Sequence, residues 1–478
     1  MVGSMTRYLY SALALVIGIQ VQGWHLEAGQ RIKPKTIGKW DIGPPSLLNL
    51  PRLELWASHR GMKEMHVQKI YNALFRNGRA GGGAWSGLSS EITVQQLQAL
   101  DLSMADSEDL LRDFVQCSSR VVDDQVSVGG GRKLVVELSS GRLVETVIIR
   151  HDHLSSGRSR YTVCVSSQVG CAKACRFCAT GTMGLHAQLS SAEILEQVWL
   201  AQRVLQQTGE YADNLRNVVF MGMGEPFDNY DAVLGALRGL THQCLFGLSA
   251  KHITVSTVGA SASKIRELAE DAPGVCLALS LHGATQELRE LLIPAATACP
   301  LDELAAALDY HTELSGRGVM MEYLLIENVN DSDRDADALA LFVLDRGSEK
   351  TNELPSSSTS CAAGALGIPE KTHEPLPQDT PSQKTKNPTN SFVNLIPYNP
   401  TLAGGLFGYS TPSDERINAF HGRLRMHGIS SLVRWSSAQG RDANGACGQL
   451  ALSVGGNYPP SPRNKAAKGS DANPDPAK

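Results

Sequence analysis

The segment Gly170-Cys171-Ala172-Lys173-Ala174-Cys175-Arg176-Phe177-Cys178 places three cysteines within eight residues, in the spacing C-x3-C-x2-C. A strand is predicted directly before this segment, so we expect the three thiols on one loop at a strand end. Three thiolates on one loop can bind three irons of a 4Fe–4S cubane and leave the fourth iron without a protein ligand. A chelating molecule such as S-adenosylmethionine (SAM) would bind that open iron through its amino and carboxylate groups.

A zinc site and three unrelated cysteines are the alternatives. Zinc normally takes a fourth ligand from a second close Cys or His pair, and no such pair follows Cys178. The other seven cysteines are spread over 478 residues, which makes chance clustering a poor explanation. Ten cysteines are also too few for a disulfide scaffold of this length, so the pattern indicates metal binding in a reducing compartment.

The composition limits which partners the surface can bind. Charged residues make up 19% of the chain and the net charge is −4, which excludes a basic coat over the whole surface. Any contact with nucleic acid would therefore come from a local patch. Candidate phosphate contacts are Arg150, His151, Arg158, Arg160 and the lysines from Lys33 to Lys39, although such charges are more often a solvated face.

From Tyr161 onward, strand patterns alternate with helical patterns, which predicts a parallel sheet. Six or so such units are too few for a closed eight-fold barrel, so we predict an α/β fold with an open partial (β/α) barrel. Ligands in such sheets bind at the carboxyl ends of the strands. The predicted strands are 161–168, 217–223, 252–258, 275–281, 319–326, 392–397 and 430–435. The predicted helices are 190–207, 229–242, 261–270, 301–315, 333–345 and 413–427, the first opened by a capping box of Ser190 and Glu193.

A small N-terminal domain is predicted before this core. Helical spacing occurs between Leu55 and Leu110, and Lys133 to Ile149 alternates as two strands around Ser139-Ser140-Gly141, which predicts a β-ribbon. The predicted division is a presequence or irregular segment at 1–54, an accessory domain at 55–150, the core at 151–456 with a disordered insertion at 347–390, and a disordered tail at 457–478.

The N-terminal segment contains an apolar run from Tyr8 to Val21 followed by basic residues. The run is too short for a membrane span and has the length of a signal-peptide core. Because secretion would conflict with an oxygen-labile cluster, an organelle presequence or a poorly defined start are alternatives that stay open. We expect a cytoplasmic or organellar protein that is neither secreted nor bound to a membrane.

Five stretches carry a family resemblance. The cysteine spacing with an aromatic residue at Phe177 resembles the radical SAM signature, and the longer pattern is similar to the RlmN/Cfr group of radical SAM RNA adenine methyltransferases. The resemblance runs from about residue 60 to 455, interrupted by the insertion. The stretches are Cys164 to Cys171, Gly222 to Pro226, Leu279 to His282, Asn394 to Pro400 and Ala446 to Leu450.

The resemblance implies a 4Fe–4S cluster on Cys171, Cys175 and Cys178, and a SAM pocket at the ends of the strands. Gly224 would permit close backbone approach and the Glu225 carboxylate would accept from the SAM amino group. Taken singly, a Gly-Glu-Pro turn or a polar residue at a strand end is more often structural. The implied SAM contacts are Phe177, Gly224, Glu225, Ser256, Ser280, Leu281, His282 and Asn399.

The resemblance also implies covalent catalysis, because C2 of adenine is electrophilic and cannot take a methyl group directly from SAM. Cys447 would accept a methyl group from one SAM. A 5′-deoxyadenosyl radical from a second SAM would abstract hydrogen from it, and the carbon radical would add to adenine. Cys164 would release the product through a transient disulfide, and Glu145 would accept the proton. From the residues alone, Cys447 reads as a structural thiol, and Cys164 and Glu145 read as strand residues.

The implied substrate is an adenosine of large-subunit ribosomal RNA, with tRNA as a second substrate. Reduced flavodoxin or ferredoxin would be the electron donor, and we expect a monomer. Methylation at C8 and a non-catalytic RNA-binding or ribosome-assembly role on the same scaffold remain alternatives at this point.

Overall fold

The computed structural model describes residues 44–76, 92–127, 129–152, 159–209, 215–345 and 391–434. Within these ranges one ten-stranded sheet has the order β1-β2-β3-β4-β7-β8-β9-β10-β11-β12, and β5 pairs with β6 in a separate ribbon. The strands are β1 Arg120–Val126, β2 Arg132–Glu137, β3 Leu143–Asp152, β4 Ser159–Cys164, β5 Gln168–Cys171, β6 Gly184–Gln188, β7 Leu215–Phe220, β8 Ile253–Thr257, β9 Cys276–Ser280, β10 Met320–Leu325, β11 Phe392–Pro397 and β12 Ser431–Val433.

Helices connect most of the strands from β6 onward and also precede the sheet. They are α1 Leu50–His59, α2 Glu64–Arg76, α3 Val94–Gln98, α4 Met104–Asp113, α5 Ala179–Met183, α6 Ser191–Gln207, α7 Tyr230–Thr241, α8 Ala262–Asp271, α9 Gln286–Leu292, α10 Leu301–Ser315, α11 Asp333–Asp345, α12 Leu402–Gly405 and α13 Asp414–Met426. Short 3-10 helices span Pro226–Asn229, Ala250–His252 and Pro294–Ala298. Among the described helices, none is long and apolar enough to cross a membrane.

The chain has the α/β fold with an open sheet that the sequence predicts. Every neighbouring pair from β4 to β12 is parallel, and β1 to β4 are antiparallel. The predicted hairpin is confirmed as β2 and β3, and the Ser190–Glu193 capping box is present. One boundary was wrong: the predicted strand 161–168 ends at Cys164, and Gln168 begins β5, because the chain turns away from the sheet after Cys164.

One face of the sheet packs against helix α6, and the opposite face forms much of the candidate site. Side chains alternate between the faces along each strand, and residues paired across strands share a face. Thr146 of β3 faces α6, since its hydroxyl donates to Gln197 Oε1 at 2.9 Å. Glu145 therefore points to the opposite face. Residues of that opposite face form much of the candidate site described below.

The helices before the sheet share its hydrophobic core, which includes Leu53, Ile70 and Leu110 as well as core strand residues. The link between β1 and α6 is polar: Glu196 of α6 is fully buried and accepts hydrogen bonds from Ser118 and Ser119. The first helix begins at Leu50, a few residues before the predicted helical region. The functional division at residue 55 and at residue 150 stays a prediction.

Several predictions concern residues outside the described ranges. These are the N-terminal segment up to residue 43, the whole insertion at 347–390, the tail at 457–478, and the loop that carries Cys447.

Candidate active site at the carboxyl edge of the sheet

Three cysteines lie on the loop that joins β5 to α5. Cys171 is the last residue of β5, Cys178 directly precedes α5, and Cys175 lies between them. The eight described cysteines are free thiols, including these three. Cys171 and Cys175 are buried and Cys178 is half-buried. The loop structure thus brings the three predicted ligands together without a competing disulfide.

The surroundings of these thiols fit a 4Fe–4S cluster. Backbone N–H groups are directed at two of the sulfurs, from Lys173 to Cys171 and from Thr180 and Gly181 to Cys178. Hydrogen bonds of this kind tune cluster thiolates. Burial raises the pKa of all three thiols, that of Cys171 to about 12, and their proximity to one another adds to the shift for Cys171 and Cys175. Such buried, mutually repelling thiolates require a cationic partner.

The described residues contain no group of three His, Cys, Asp or Glu side chains that converges on a single ion. A cubane does not require such convergence, because each thiolate binds a different iron.

An ion pair joins the cluster loop to the next part of the site. Lys173 Nζ lies 2.8 Å from Asp228 Oδ1, in the 3-10 helix that begins at Pro226. The cluster loop is thereby joined to the neighbouring Gly-Glu-Pro segment.

Gly224 and Glu225 lie against Gln168 at the start of β5. Gly224 has a φ of +104°, and a Cβ atom there would come within 2.6 Å of the Gln168 side chain. Glu225 N donates to Gln168 Oε1 at 2.7 Å. Only glycine fits this backbone conformation and this close approach without strain. The glycine of the motif therefore has a local structural cause in addition to its predicted role in binding SAM.

The Glu225 carboxylate is buried and accepts two backbone hydrogen bonds. Phe227 N donates to Oε1 at 3.2 Å and Val258 N donates to Oε2 at 3.0 Å. Burial raises the pKa of Glu225, and these hydrogen bonds oppose the rise. A carboxylate can accept about four hydrogen bonds. Glu225 consequently retains capacity for an ammonium group while it holds together the ends of β7 and β8.

Ser256 and Ser280 come together on neighbouring strands, with Oγ atoms 3.4 Å apart. Next to them, His282 follows β9 with a φ of +54° and is buried. Leu324 N donates to His282 Nδ1 at 3.0 Å, which leaves the proton of the neutral ring on Nε2. Burial lowers the pKa of His282 to about 3, and Arg289 adds to the shift. His282 is therefore a neutral hydrogen-bond donor.

Two further predicted SAM contacts, Asn399 and Leu281, differ in whether the protein itself already uses their polar groups. Asn399 is buried, and its Nδ2 has no hydrogen-bond partner among the described residues, as expected of a group that binds a ligand. Leu281 behaves otherwise: its side chain is in the core, its N–H donates to Glu322 O, and its carbonyl accepts from Arg289. The protein itself uses the polar groups of Leu281, so its predicted contact with SAM stays a prediction.

Arg289 was not predicted as part of the site. It is fully buried in the middle of α9, and its guanidinium donates to the carbonyls of Val258, Ser280 and Leu281, which lie directly after β8, at the end of β9 and directly after β9. Burial lowers the pKa of Arg289 to about 10, while the proximity of Cys175 opposes that shift. Its charge thus lies close to the cluster loop. A basic residue inside a short helix carries no sequence signal for this role.

Glu145 and Cys164 share the face of the sheet opposite α6. Cys164 pairs with Val147, two residues along β3 from Glu145. The Glu145 backbone contacts the site, because its carbonyl accepts from Ser166 Oγ at 2.6 Å and its N–H points at Met223 Sδ at 3.4 Å. Burial raises the pKa of the Cys164 thiol to about 12. The two predicted groups are therefore neighbours beside the Gly-Glu-Pro segment.

The predicted phosphate contacts are only partly on the surface. His151 departs from the prediction, since it is buried with Nε2 3.0 Å from Thr162 Oγ1. Arg150 is half-exposed and donates to Asp152 Oδ1 at 2.8 Å. Arg158 and the lysines from Lys33 to Lys39 lie outside the described residues. His151 points inward because it shares the face of Glu145 on the alternating strand β3.

Comparison with known proteins shows the family to which the chain belongs. The sequence model of the radical SAM superfamily matches residues 165–341. Among solved structures, a radical SAM methyltransferase from Sphaerobacter thermophilus is similar with a TM-score of 0.65 and 32% identity, covering 85% of this chain and 99% of that one.

Three relatives cover most of the chain. The ribosomal RNA large subunit methyltransferase N of Nitrosopumilus maritimus is 36% identical over 338 residues, 70% of this chain and 80% of its own length. The probable dual-specificity RNA methyltransferase RlmN of Streptococcus mutans is 33% identical, covering 85% of this chain and 94% of that protein. The protein of the same description in Mycobacterium ulcerans is 41% identical, covering 68% and 76%.

Proposed function

Because the chain belongs to the RlmN family of radical SAM RNA methyltransferases, we propose that it methylates C2 of an adenosine in large-subunit ribosomal RNA and also acts on tRNA. The observation that carries this proposal is the placement of Glu145 and Cys164 on one face of the sheet, with the Glu145 backbone against Met223, which directly precedes the Gly-Glu-Pro segment. A radical SAM enzyme that only cleaved SAM would have no use for a second thiol and a buried carboxylate at this place.

The cofactors of this enzyme are a 4Fe–4S cluster and SAM. Cys171, Cys175 and Cys178 would hold the cluster. Gly224, Glu225, Ser256, Ser280, His282 and Asn399 would hold SAM, with Phe177 packed against His282. When bound and reduced, the cluster supplies the electron that cleaves SAM to an organic radical. The buried positions of these side chains would keep water away from that radical.

The chain's own thiols carry the carbon atom. Cys447, which lies outside the described residues, would accept the methyl group and become bonded to the adenine through it. Glu145 would take the ring proton from the adduct. The cluster, which is left oxidised by the cleavage of SAM, would supply the acceptor for the unpaired electron of the adduct. Cys164 would then attack the sulfur of Cys447, so that a disulfide forms and the carbon–sulfur bond breaks. The described geometry supports this sequence of steps because Cys164 lies beside Glu145 on the same face.

The proposal is tested by anaerobic reconstitution of the full chain with SAM and candidate ribosomal RNA and tRNA fragments. Mass spectrometry of the digested RNA should find 2-methyladenosine with the wild-type protein and none with Cys447→Ala. Methylation by Cys447→Ala would show that the covalent mechanism is wrong. Methylation at C8 would place the enzyme in the other branch of the group.

The partners and the cellular setting are part of the same proposal. Reduced flavodoxin or ferredoxin would donate the electron, and the protein would act as a monomer in a cytoplasmic or organellar compartment. The eight described cysteines are all free thiols, which fits a reducing compartment.

Residues 55–150 would dock the RNA, with Arg150 as a phosphate contact on their surface. Arg150→Glu should weaken RNA binding in a salt-dependent filter assay and leave SAM cleavage unchanged.

A further inference from the structure

The candidate proton acceptor, Glu145, forms a buried ion pair with Lys133. Lys133 Nζ lies 3.0 Å from Glu145 Oε1, and the two side chains are 1% and 0% exposed. Apart from this ion pair, neither carboxylate oxygen of Glu145 nor the Lys133 ammonium has a hydrogen-bond partner among the described residues. Among the described residues, each of these two buried charges is therefore compensated by the other.

The register of the sheet explains why the two side chains meet. Lys133 of β2 pairs with Val147 of β3, and Val147 pairs with Cys164 of β4. Residues that pair across strands share a face. Lys133, Glu145 and Cys164 are therefore on one face, and Lys133 reaches Glu145 along the diagonal between β2 and β3. The pair lies next to the predicted resolving thiol.

We propose that Lys133 is a positioning residue that keeps Glu145 an ionised carboxylate, so that Glu145 can accept the proton from the RNA adduct. This inference rests on the proposed function, since the adduct is its intermediate. In the step concerned, the C–H bond at the adenine ring carbon breaks and its electron pair stays in the ring. The proton forms an O–H bond on Glu145, and no bond to Lys133 forms or breaks.

The surroundings explain why a cation is needed. Burial raises the pKa of Glu145, and Lys133 is the charged group that lowers it again. Among the described residues, the groups shown next to Glu145 are the Cys164 thiol from β4 and the Met223 thioether from the loop after β7, and neither carries a charge. His151 of β3 and Glu322 of β10 lie on the same face, but neither is among the groups that shift the pKa of Glu145. A base is most effective when its pKa is raised towards the working pH while it remains ionised. Without Lys133, a carboxyl group buried among these neighbours would take up a proton.

A buried ion pair also has a purely structural reading. Such pairs add little net stability, and replacing both partners with neutral residues is often harmless, whereas removing one partner leaves a charge uncompensated. A structural pair would therefore change stability without changing how the reaction depends on pH. This difference separates the two readings.

The test compares Lys133→Met, Lys133→Arg and Glu145→Gln in the full reconstituted protein with an RNA fragment. We expect Lys133→Met to form the Cys447-linked adduct and to resolve it at least about tenfold more slowly at neutral pH, because each unit by which a pKa exceeds the pH reduces the ionised fraction about tenfold. Raising the pH should restore the rate, and Lys133→Arg should resemble the wild type. A rate for Lys133→Met that equals the wild-type rate, or is lower by the same factor at every pH, would overturn the inference.

A second measurement does not depend on turnover. The infrared difference between the wild type and Glu145→Gln should contain the band of an ionised carboxylate at neutral pH. The difference between Lys133→Met and the double variant Lys133→Met/Glu145→Gln should contain the band of a protonated carboxyl group. A protonated band in the wild type would overturn the inference. If the wild type gave no adduct and no 2-methyladenosine, the proposed function would fail while this measurement still decided the role of Lys133.

Discussion

The imidazole of His282 packs edge-on against the ring of Phe177, with the ring centroids 4.8 Å apart and the planes at 85°. Phe177 belongs to the cluster loop and His282 follows β9, so this contact joins the predicted cluster ligands to the predicted SAM pocket. A further bond extends the link, because Thr401 Oγ1 donates to the Phe177 carbonyl at 3.0 Å. Cluster loop, β9 and the segment after β11 thus form one connected unit.

The buried state of His282 predicts a dependence of stability on pH. Its pKa is lowered to about 3 in the folded chain, and an unfolded chain has the ordinary value of about 6.5. Between these values the unfolded chain binds a proton that the folded chain does not. The contribution of His282 to the free energy of unfolding is therefore fully present above about pH 6.5 and decreases as the pH is lowered. The slope due to one such proton is about 1.4 kcal/mol per pH unit.

His282→Gln should reduce this slope, measured as the free energy of unfolding in denaturant between pH 4.5 and 7. His59→Gln is the matched control, because His59 is exposed at the end of α1. Equal slopes for the wild type and His282→Gln would show that His282 takes up its proton in the folded protein over the same pH range as in the unfolded chain.

Gly224→Ala should impair SAM binding. The φ of +104° and the 2.6 Å approach to Gln168 leave no room for a methyl group, so the loop must move. We expect a loss of more than about 1 kcal/mol of stability and a weaker SAM affinity in equilibrium dialysis. Gly422→Ala is the control: Gly422 lies within α13 with no atom within 4 Å of an added Cβ, so alanine there should stabilise the helix by about 0.5–1 kcal/mol.

Serine at any one of Cys171, Cys175 and Cys178 should abolish the cluster, because a three-thiolate site has no spare ligand. The brown iron–sulfur absorbance and the cleavage of SAM should be lost together. Cys244→Ser is the control, since Cys244 is a half-buried free thiol outside the loop. A single serine variant that kept both properties would mean that the cluster has a different ligand set.

Cys164→Ser should trap the enzyme on its RNA. Serine cannot form the disulfide that releases the product, so a covalent complex between Cys447 and RNA should accumulate and appear as a slower band on a denaturing gel. Cys276→Ser is the matched control, because Cys276 is a similarly buried cysteine on β9. Normal turnover by Cys164→Ser would assign the release step to another residue.

The sequence predicts the elements of the core well because short apolar runs between helical stretches indicate buried parallel strands, and the structure has each of them within a few residues. The structure also places the three predicted cluster ligands, Cys171, Cys175 and Cys178, on one loop. Other features depend on tertiary contacts that periodicity does not encode. Gln168 leaves the sheet to form β5, and His151 points inward although it is flanked by charged residues. Lys133 and Arg289 look like surface residues in sequence, yet they are buried by partners distant along the chain.

Transfer of the carbon atom to adenine through Cys447 can be followed in one turnover with SAM whose methyl group carries three deuterium atoms, with mass spectrometry of the RNA nucleosides. We expect 2-methyladenosine with two methyl deuteriums, because one deuterium is abstracted on Cys447 and the last hydrogen is added when the released carbon is protonated. A product that retained all three deuteriums would show direct transfer from SAM and would exclude Cys447 as the carrier.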